Sequence, residues 1–130
     1  MGGKPAPDQV ADTPITRDLH ARWKAGDDSV AARIREDEAA VTSLGALADR
    51  LVYWLDCVYR TSRAGTPLYT TEQSLFDVVH RDDVAEQLVP TLVLPPSDVV
   101  HAIYAPLGVG HHVDHQIVRD WGLELRQQYP

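Results

Sequence analysis

The sequence holds a single cysteine, no apolar run long enough to cross a bilayer, and no concentration of positive charge. A lone Cys57 excludes an internal disulfide framework and a zinc site built from several thiolates. Its plainest role is that of a small buried apolar residue. A membrane span takes roughly 18 to 20 consecutive apolar residues, and nothing here approaches that. The opening Met1–Pro7, rich in Gly and Pro, lacks the apolar centre of a signal peptide. A cytoplasmic protein with no membrane partner is therefore expected. Lys and Arg number 12 against 19 Asp and Glu, for a formal net charge of −7. The basic residues are scattered beside acidic ones, which argues against a nucleic-acid partner. No repeat or low-complexity tract is present. With 44% hydrophobic and 24% charged residues over 130 positions, the composition is that of one ordinary globular domain.

The first twelve residues read as loop or disordered N-terminus. Thr13-Pro14 predicts a helix start, Thr as N-cap and Pro at the first helical position. Ile15, Leu19 and Trp23 share one face of that helix, and Gly26 is its expected stop. Asp27, Asp28 and Ser29 offer caps for a second helix. Val30, Ile34, Val41 and Leu44 form its expected buried stripe, Arg33, Arg35, Glu36, Asp37 and Glu38 its solvated side, and Gly45 its end. Leu51–Leu55 is a short run of β-formers and predicts a buried strand. Residues 60–70 read as loop, Thr71–Phe76 as a short helix, and Asp82–Leu94 as a helix shortened by Pro90 and ended by Pro95-Pro96. Val99–Tyr104 predicts a second strand, 105–110 a loop, and His112–Arg126 a final helix with Val113, Ile117, Trp121 and Leu125 spaced by four. Strands separated by helices favour an α/β fold with a parallel sheet. Two strands alone leave both edges bare.

One dense cluster carries chemistry: Gly108-Val109-Gly110-His111-His112-Val113-Asp114-His115. It follows a predicted strand and opens a predicted helix, where sites form in open α/β sheets. Neutral imidazoles ligate zinc. His112 and His115 lie one helical turn apart, His111 and His115 four residues apart, and Asp114 is placed to orient a neighbouring imidazole. A helix start also suits an anion, and three histidines in five residues also fit a surface loop without metal. Tyr59-Arg60 follows the first predicted strand, where substrate contacts are common; packing or a salt bridge suits it as well. His20 reads as solvated, His101 as a packed or edge histidine, and Trp23, Trp54 and Trp121 as core.

The stretch Tyr104–Asp120, with its Gly-rich loop and His112-Val113-Asp114-His115, resembles the second signature of the PIG-L (LmbE-like) deacetylases. Arg35-Glu36-Asp37-Glu38-Ala39-Ala40 is similar to that family's R-x-x-E-x-x-A-A helix, and Leu55–Arg60 to its L-x-D-A-x-Y-R stretch. The likeness runs from near Gly3 to Leu125. It implies a three-layer Rossmann-like fold and zinc-dependent hydrolysis of an N-acetyl group on a small molecule, often an amino sugar. On that resemblance His115 is the metal ligand, and His112 and Asp114 are catalytic; His111, Tyr59 and Arg60 are the expected substrate contacts. The family's other signature, His-x-Asp-Asp at the end of its first strand, supplies two more ligands and the general base. No such strand precedes the first helix here. His80-Arg81-Asp82-Asp83 has the letters but sits between a loop and a helix, and reads as a helix start capped by Asp82 or Asp83.

The expectation is a partial deacetylase domain over 13–130, lacking the first and last strands of its sheet and inactive alone. Two alternatives stand beside it. One is a non-catalytic remnant that self-associates through an open sheet edge. The other is a small metal-binding module using His111, His112 and His115.

Overall fold

Thr13 and Pro14 start the first helix as their chemistry dictates. The Thr13 hydroxyl accepts the Thr16 N–H at 3.2 Å, and Pro14 occupies the first turn, where its missing N–H costs nothing. The computed structural model describes residues 13–23, 29–46, 55–88 and 94–129. Within them lie helices α1 (Pro14–Trp23), α2 (Ser29–Ser43), α3 (Glu72–Leu75), α4 (Ala85–Leu88) and α5 (Val113–Leu125), with 3₁₀ turns at Cys57–Tyr59 and Ser97–Val99. The expected N-terminal loop 1–12, the Gly26 stop and most of the first predicted strand, residues 51–54, lie outside the described residues.

The core forms where α1, the Cys57–Tyr59 turn, α3 and the start of α5 meet. Ile15, Cys57, Val58, Tyr59, Tyr69, Leu75 and Val113 are buried together, with Leu19, Leu55, Leu68 and Val79 half-buried around them. Burying a side chain of this size is worth about 1.5–3 kcal/mol, so these seven are the main apolar attachment between the elements. Val79 also touches a smaller cluster of Ala85 and Ile117, against which Trp121 packs. Arg22 ties α1 to α3 through Glu72 at 3.0 Å, but the pair is exposed and adds little. The α1 and α5 periodicities hold: Ile15, Val113, Ile117 and Leu125 are buried.

Several expectations meet a different outcome. No described side chain of α2 is buried, and Leu44 is 83% exposed. Leu44 falls beyond the last helical turn, in the turn closed by Gly45 at φ +72°, so the apolar period does not continue through it. The helix expected over 82–94 is observed as Ala85–Leu88 among the described residues; residues 89–93 lie outside them. Val99 belongs to a 3₁₀ turn, and residues 100–107 have no regular structure. Pro95, Pro96 and Pro106 bracket that run and remove donors, and no described strand lies beside it to complete a ladder. Leu55, at the end of the first predicted strand, takes part in a β-bridge, and a second bridge joins Thr61 and Pro67, antiparallel. It closes a tight turn in which Ser62 N–H meets Thr66 O at 2.8 Å and Leu68 N–H meets Arg60 O at 3.0 Å.

Candidate functional site

The site is assembled at the N-terminal end of α5. The chain arrives through Gly108 and Gly110, both at positive φ (+74° and +87°), a conformation that an L side chain strains to adopt. His111 follows at φ +59°, in the left-handed region that histidine tolerates better than bulkier residues. Gln116 braces the bend: its side-chain amide donates to the His111 carbonyl at 2.5 Å and to the Asp77 carbonyl at 2.7 Å. His112 is the N-cap of α5, its Nδ1 accepting the Asp114 N–H at 3.3 Å.

Three chain segments converge there. His112 stands edge-on to Phe76 with ring centroids 5.6 Å apart, and its Nε2 lies 3.8 Å from Cys57 Sγ. Asp114 turns back from the first turn of α5: Oδ2 accepts the Cys57 N–H at 3.4 Å, and Oδ1 pairs with Arg60 Nη2. The turn at Cys57 is itself set by Asp56, whose carboxylate accepts the Val58 N–H at 3.3 Å. Arg60, only 6% exposed, reaches the other way to Asp83 at 3.2 Å. His115 is exposed, its ring centroid 5.2 Å from that of His112, and makes no hydrogen bond with a described residue.

The electrostatics follow from burial. Burial, with the Asp114 and Asp56 carboxylates adding, pushes the Cys57 thiol far above its usual range, so it stays a neutral thiol. Burial also pushes Asp114 up from the ordinary carboxylate range, while the Arg60 guanidinium pulls it back. For Arg60, burial opposes the charge and the carboxylates of Asp114 and Asp83 outweigh it.

Of the residues singled out from the sequence, His112, Asp114 and His115 fall in one helical turn, and Arg60 joins them through Asp114. His111 is exposed beside them at the bend. Tyr59 faces inward, 3% exposed, its hydroxyl 2.5 Å from His20 Nε2. His20 is thus engaged in a half-buried hydrogen bond rather than solvated. His101 is exposed. Trp23 and Trp121 are half-buried; Trp54 lies outside the described residues. Asp83 does cap, accepting the Ala85 N–H at 2.9 Å, but it is also a buried partner of Arg60, a role its place in the sequence does not announce.

Cys57 Sγ, a ring nitrogen of His112 and a carboxylate oxygen of Asp114 lie within 4.8 Å of one another, close enough to consider a shared cation. Thiol, imidazole and carboxylate are donors that suit a divalent cation, whose binding would displace the thiol proton. Asp114 also faces the fixed positive charge of Arg60, and His115 is exposed beside the His112 ring, outside this group.

A 2'-N-acetylparomamine deacetylase of Niallia circulans is 30% identical to the chain over 105 residues, covering 78% of the chain and 38% of that protein. The chain thus spans less than two fifths of the length of this curated relative. No family model and no solved structure matches the chain. No helix among the described residues is long and apolar enough to cross a membrane.

Proposed function

We propose that the chain supplies the histidine half of a metal-dependent N-deacetylase site of the PIG-L (LmbE-like) type, acting on the N-acetyl group of an amino sugar or a related small molecule. The observation that carries this reading is the first turn of α5, which groups His112, Asp114 and an exposed, unpaired His115. The deacetylase relative supports it independently. In this reading His115 holds a divalent metal, zinc by preference for imidazole donors. Such an ion, when bound, polarises an amide carbonyl and acidifies water. His112 is the contact for the carbonyl oxygen, and Asp114 fixes the turn that carries both rings. His111, exposed at the bend, is placed for the substrate. Arg60 acts from behind, through Asp114.

A catalytic zinc takes about three protein ligands and needs a base for the water's proton. Asp83 serves neither purpose, because it is buried and bound to Arg60, Tyr69 and Ala85. The reading therefore includes further ligands and a base from a His-x-Asp-Asp strand outside this sequence, an α/β sheet to hold that strand, and a cytoplasmic setting. Residues 100–107 fit an edge for that sheet or for self-association: none of their backbone groups bonds a described residue, and Tyr104 is 94% exposed.

The test is zinc titration of the 130-residue chain together with an acetate-release assay on N-acetylglucosamine-type substrates. The expected result is one weak zinc site that disappears in His115→Ala and survives in Cys57→Ser, with no acetate released. Adding a segment that carries the His-x-Asp-Asp strand should bring activity. Zinc binding lost in Cys57→Ser and kept in His115→Ala would instead favour a small metal-binding module, the reading that the 4.8 Å grouping of Cys57, His112 and Asp114 supports.

A further inference from the structure

Arg60 and Asp83 are the buried charges among the described residues, behind Asp114. The Asp83 side chain is fully buried. Its Oδ2 accepts the Tyr69 hydroxyl at 2.7 Å, its Oδ1 accepts the Ala85 N–H at 2.9 Å, and Arg60 Nη1 contacts both oxygens, at 3.2 and 3.4 Å. Tyr69 is itself fixed, taking the His80 N–H at 3.0 Å and lying under the Arg60 guanidinium, 5.5 Å from Cζ to ring centre. Arg60 Nε is buried without a hydrogen-bond partner, so the two Nη groups carry its ion pairs. One of them is committed to Asp83 and the other to Asp114.

Stability is a poor reason for such a row. Buried ion pairs lose most of their attraction to desolvation, and apolar residues of the same volume often do as well or better. What the row does is geometric. Each member leaves the next one position to occupy, and its last member sits in the first turn of α5. We propose that Asp83 is a positioning residue for the deacetylase-type site: it fixes Arg60, and through Arg60 it fixes Asp114 and the turn bearing His112 and His115. The inference rests on the reading of the site given above.

The test uses the full chain with Asp83→Asn, which keeps the shape and one acceptor oxygen but gives up the charge held by Arg60. Two readouts are needed. The first is zinc affinity by competition with a chromophoric chelator. The second is the Raman S–H stretch of Cys57, one band because the chain has one cysteine, which senses the immediate surroundings of the thiol beside Asp56 and His112. The expected result is a cooperatively folded variant whose zinc affinity falls about tenfold, the low end for outer partners of a metal site, and whose S–H band moves. A folded Asp83→Asn chain with the parent's affinity and the parent's band overturns the proposal and leaves Asp83 a helix cap. If Asp83→Asn does not fold, Tyr69→Phe decides by the same readouts: it removes the hydroxyl that holds Asp83 and takes the His80 N–H, so a smaller change in the same direction in a folded chain supports the proposal and no change overturns it. A parent chain that binds no zinc defeats the deacetylase reading, and the S–H band then still decides whether Asp83 controls the turn.

Discussion

The Tyr59 hydroxyl and His20 Nε2 meet at 2.5 Å across 39 residues of sequence, fastening α1 to the turn from which Arg60 reaches the site. Both side chains belong to the interior side of that junction: Tyr59 is buried, and His20 is half-buried with its ring tilted against Trp23 at a centroid distance of 6.0 Å. α1 and the Cys57–Tyr59 turn are also in direct contact. The bond therefore acts on how the helix docks, one step removed from the chemistry.

Tyr59→Phe isolates that bond, since the ring keeps its packing and only the hydroxyl goes. A hydrogen bond of this kind contributes about 0.5–1.5 kcal/mol, more when its loss strands a partly buried partner. The expected outcome is a chain destabilised by about 1 kcal/mol in urea unfolding with an unchanged m-value, and with the parent's zinc affinity. A loss of zinc binding at unchanged stability would instead place Tyr59 in the site itself, in the substrate-facing role its position in the sequence suggests.

The parts legible in the sequence are those governed by local rules. Thr13-Pro14 and Thr71 cap helices because short polar side chains satisfy free N–H groups wherever a helix begins; Thr71 and Ser74 form a reciprocal pair. The α5 stripe of Val113, Ile117 and Leu125 is buried because a period of four needs only one face to be covered. The grouping of His112, Asp114 and His115 follows from the same helical geometry. The partners of Asp114 do not. Arg60 stands 54 residues before Asp114, and Asp83, the next in the row, lies between them in sequence, 23 residues after Arg60; no periodicity links such positions. Asp83 was legible as a cap, which it is, and the same carboxylate's second role depends on tertiary folding alone. The predicted strand at 99–104 marks the opposite limit. β-propensity describes a surface suited to a neighbour, and among the described residues that neighbour is not beside it.

Alkaline pH gives a second prediction. Burial raises the Cys57 thiol far above its ordinary value in the folded chain and also pushes the Tyr69 hydroxyl up. In the unfolded chain the thiol releases its proton near pH 8.5 and the phenol near 10. Between those values and the raised folded ones, the unfolded state binds fewer protons than the folded state, so stability falls as pH rises. The contribution of Cys57 is intact below about pH 8 and is lost above about 8.5, at a limiting slope of roughly 1.4 kcal/mol per pH unit for one group. Tyr69 steepens the decline above about pH 10. Urea midpoints measured from pH 7 to 10.5 check this. Cys57→Ala should flatten the first part of the decline, and thiol labelling of the parent at pH 8 should proceed no faster than the chain opens. A parent whose midpoint holds steady to pH 10 contradicts the burial of the thiol.

Gly122 provides the third. A glycine inside an exposed stretch of helix costs about 1 kcal/mol relative to alanine, so Gly122→Ala would ordinarily stabilise α5. Here a Cβ at position 122 would stand 2.8 Å from the Ala105 Cβ, closer than two carbons can sit. The segment that leads into the Gly108–His112 bend crosses α5 at that point, so the added methyl must push away the strip of chain that delivers the histidines. Gly122→Ala alone is expected to yield no gain, or a loss, in urea midpoint. The double variant with Ala105→Gly removes the opposing methyl and should recover most of the helix-propensity gain, apart from what the new glycine adds in chain freedom. The coupling between the two positions in this double-mutant cycle should therefore be at least about 0.5 kcal/mol. Simple additivity would mean that the 105 segment does not rest against α5 in solution.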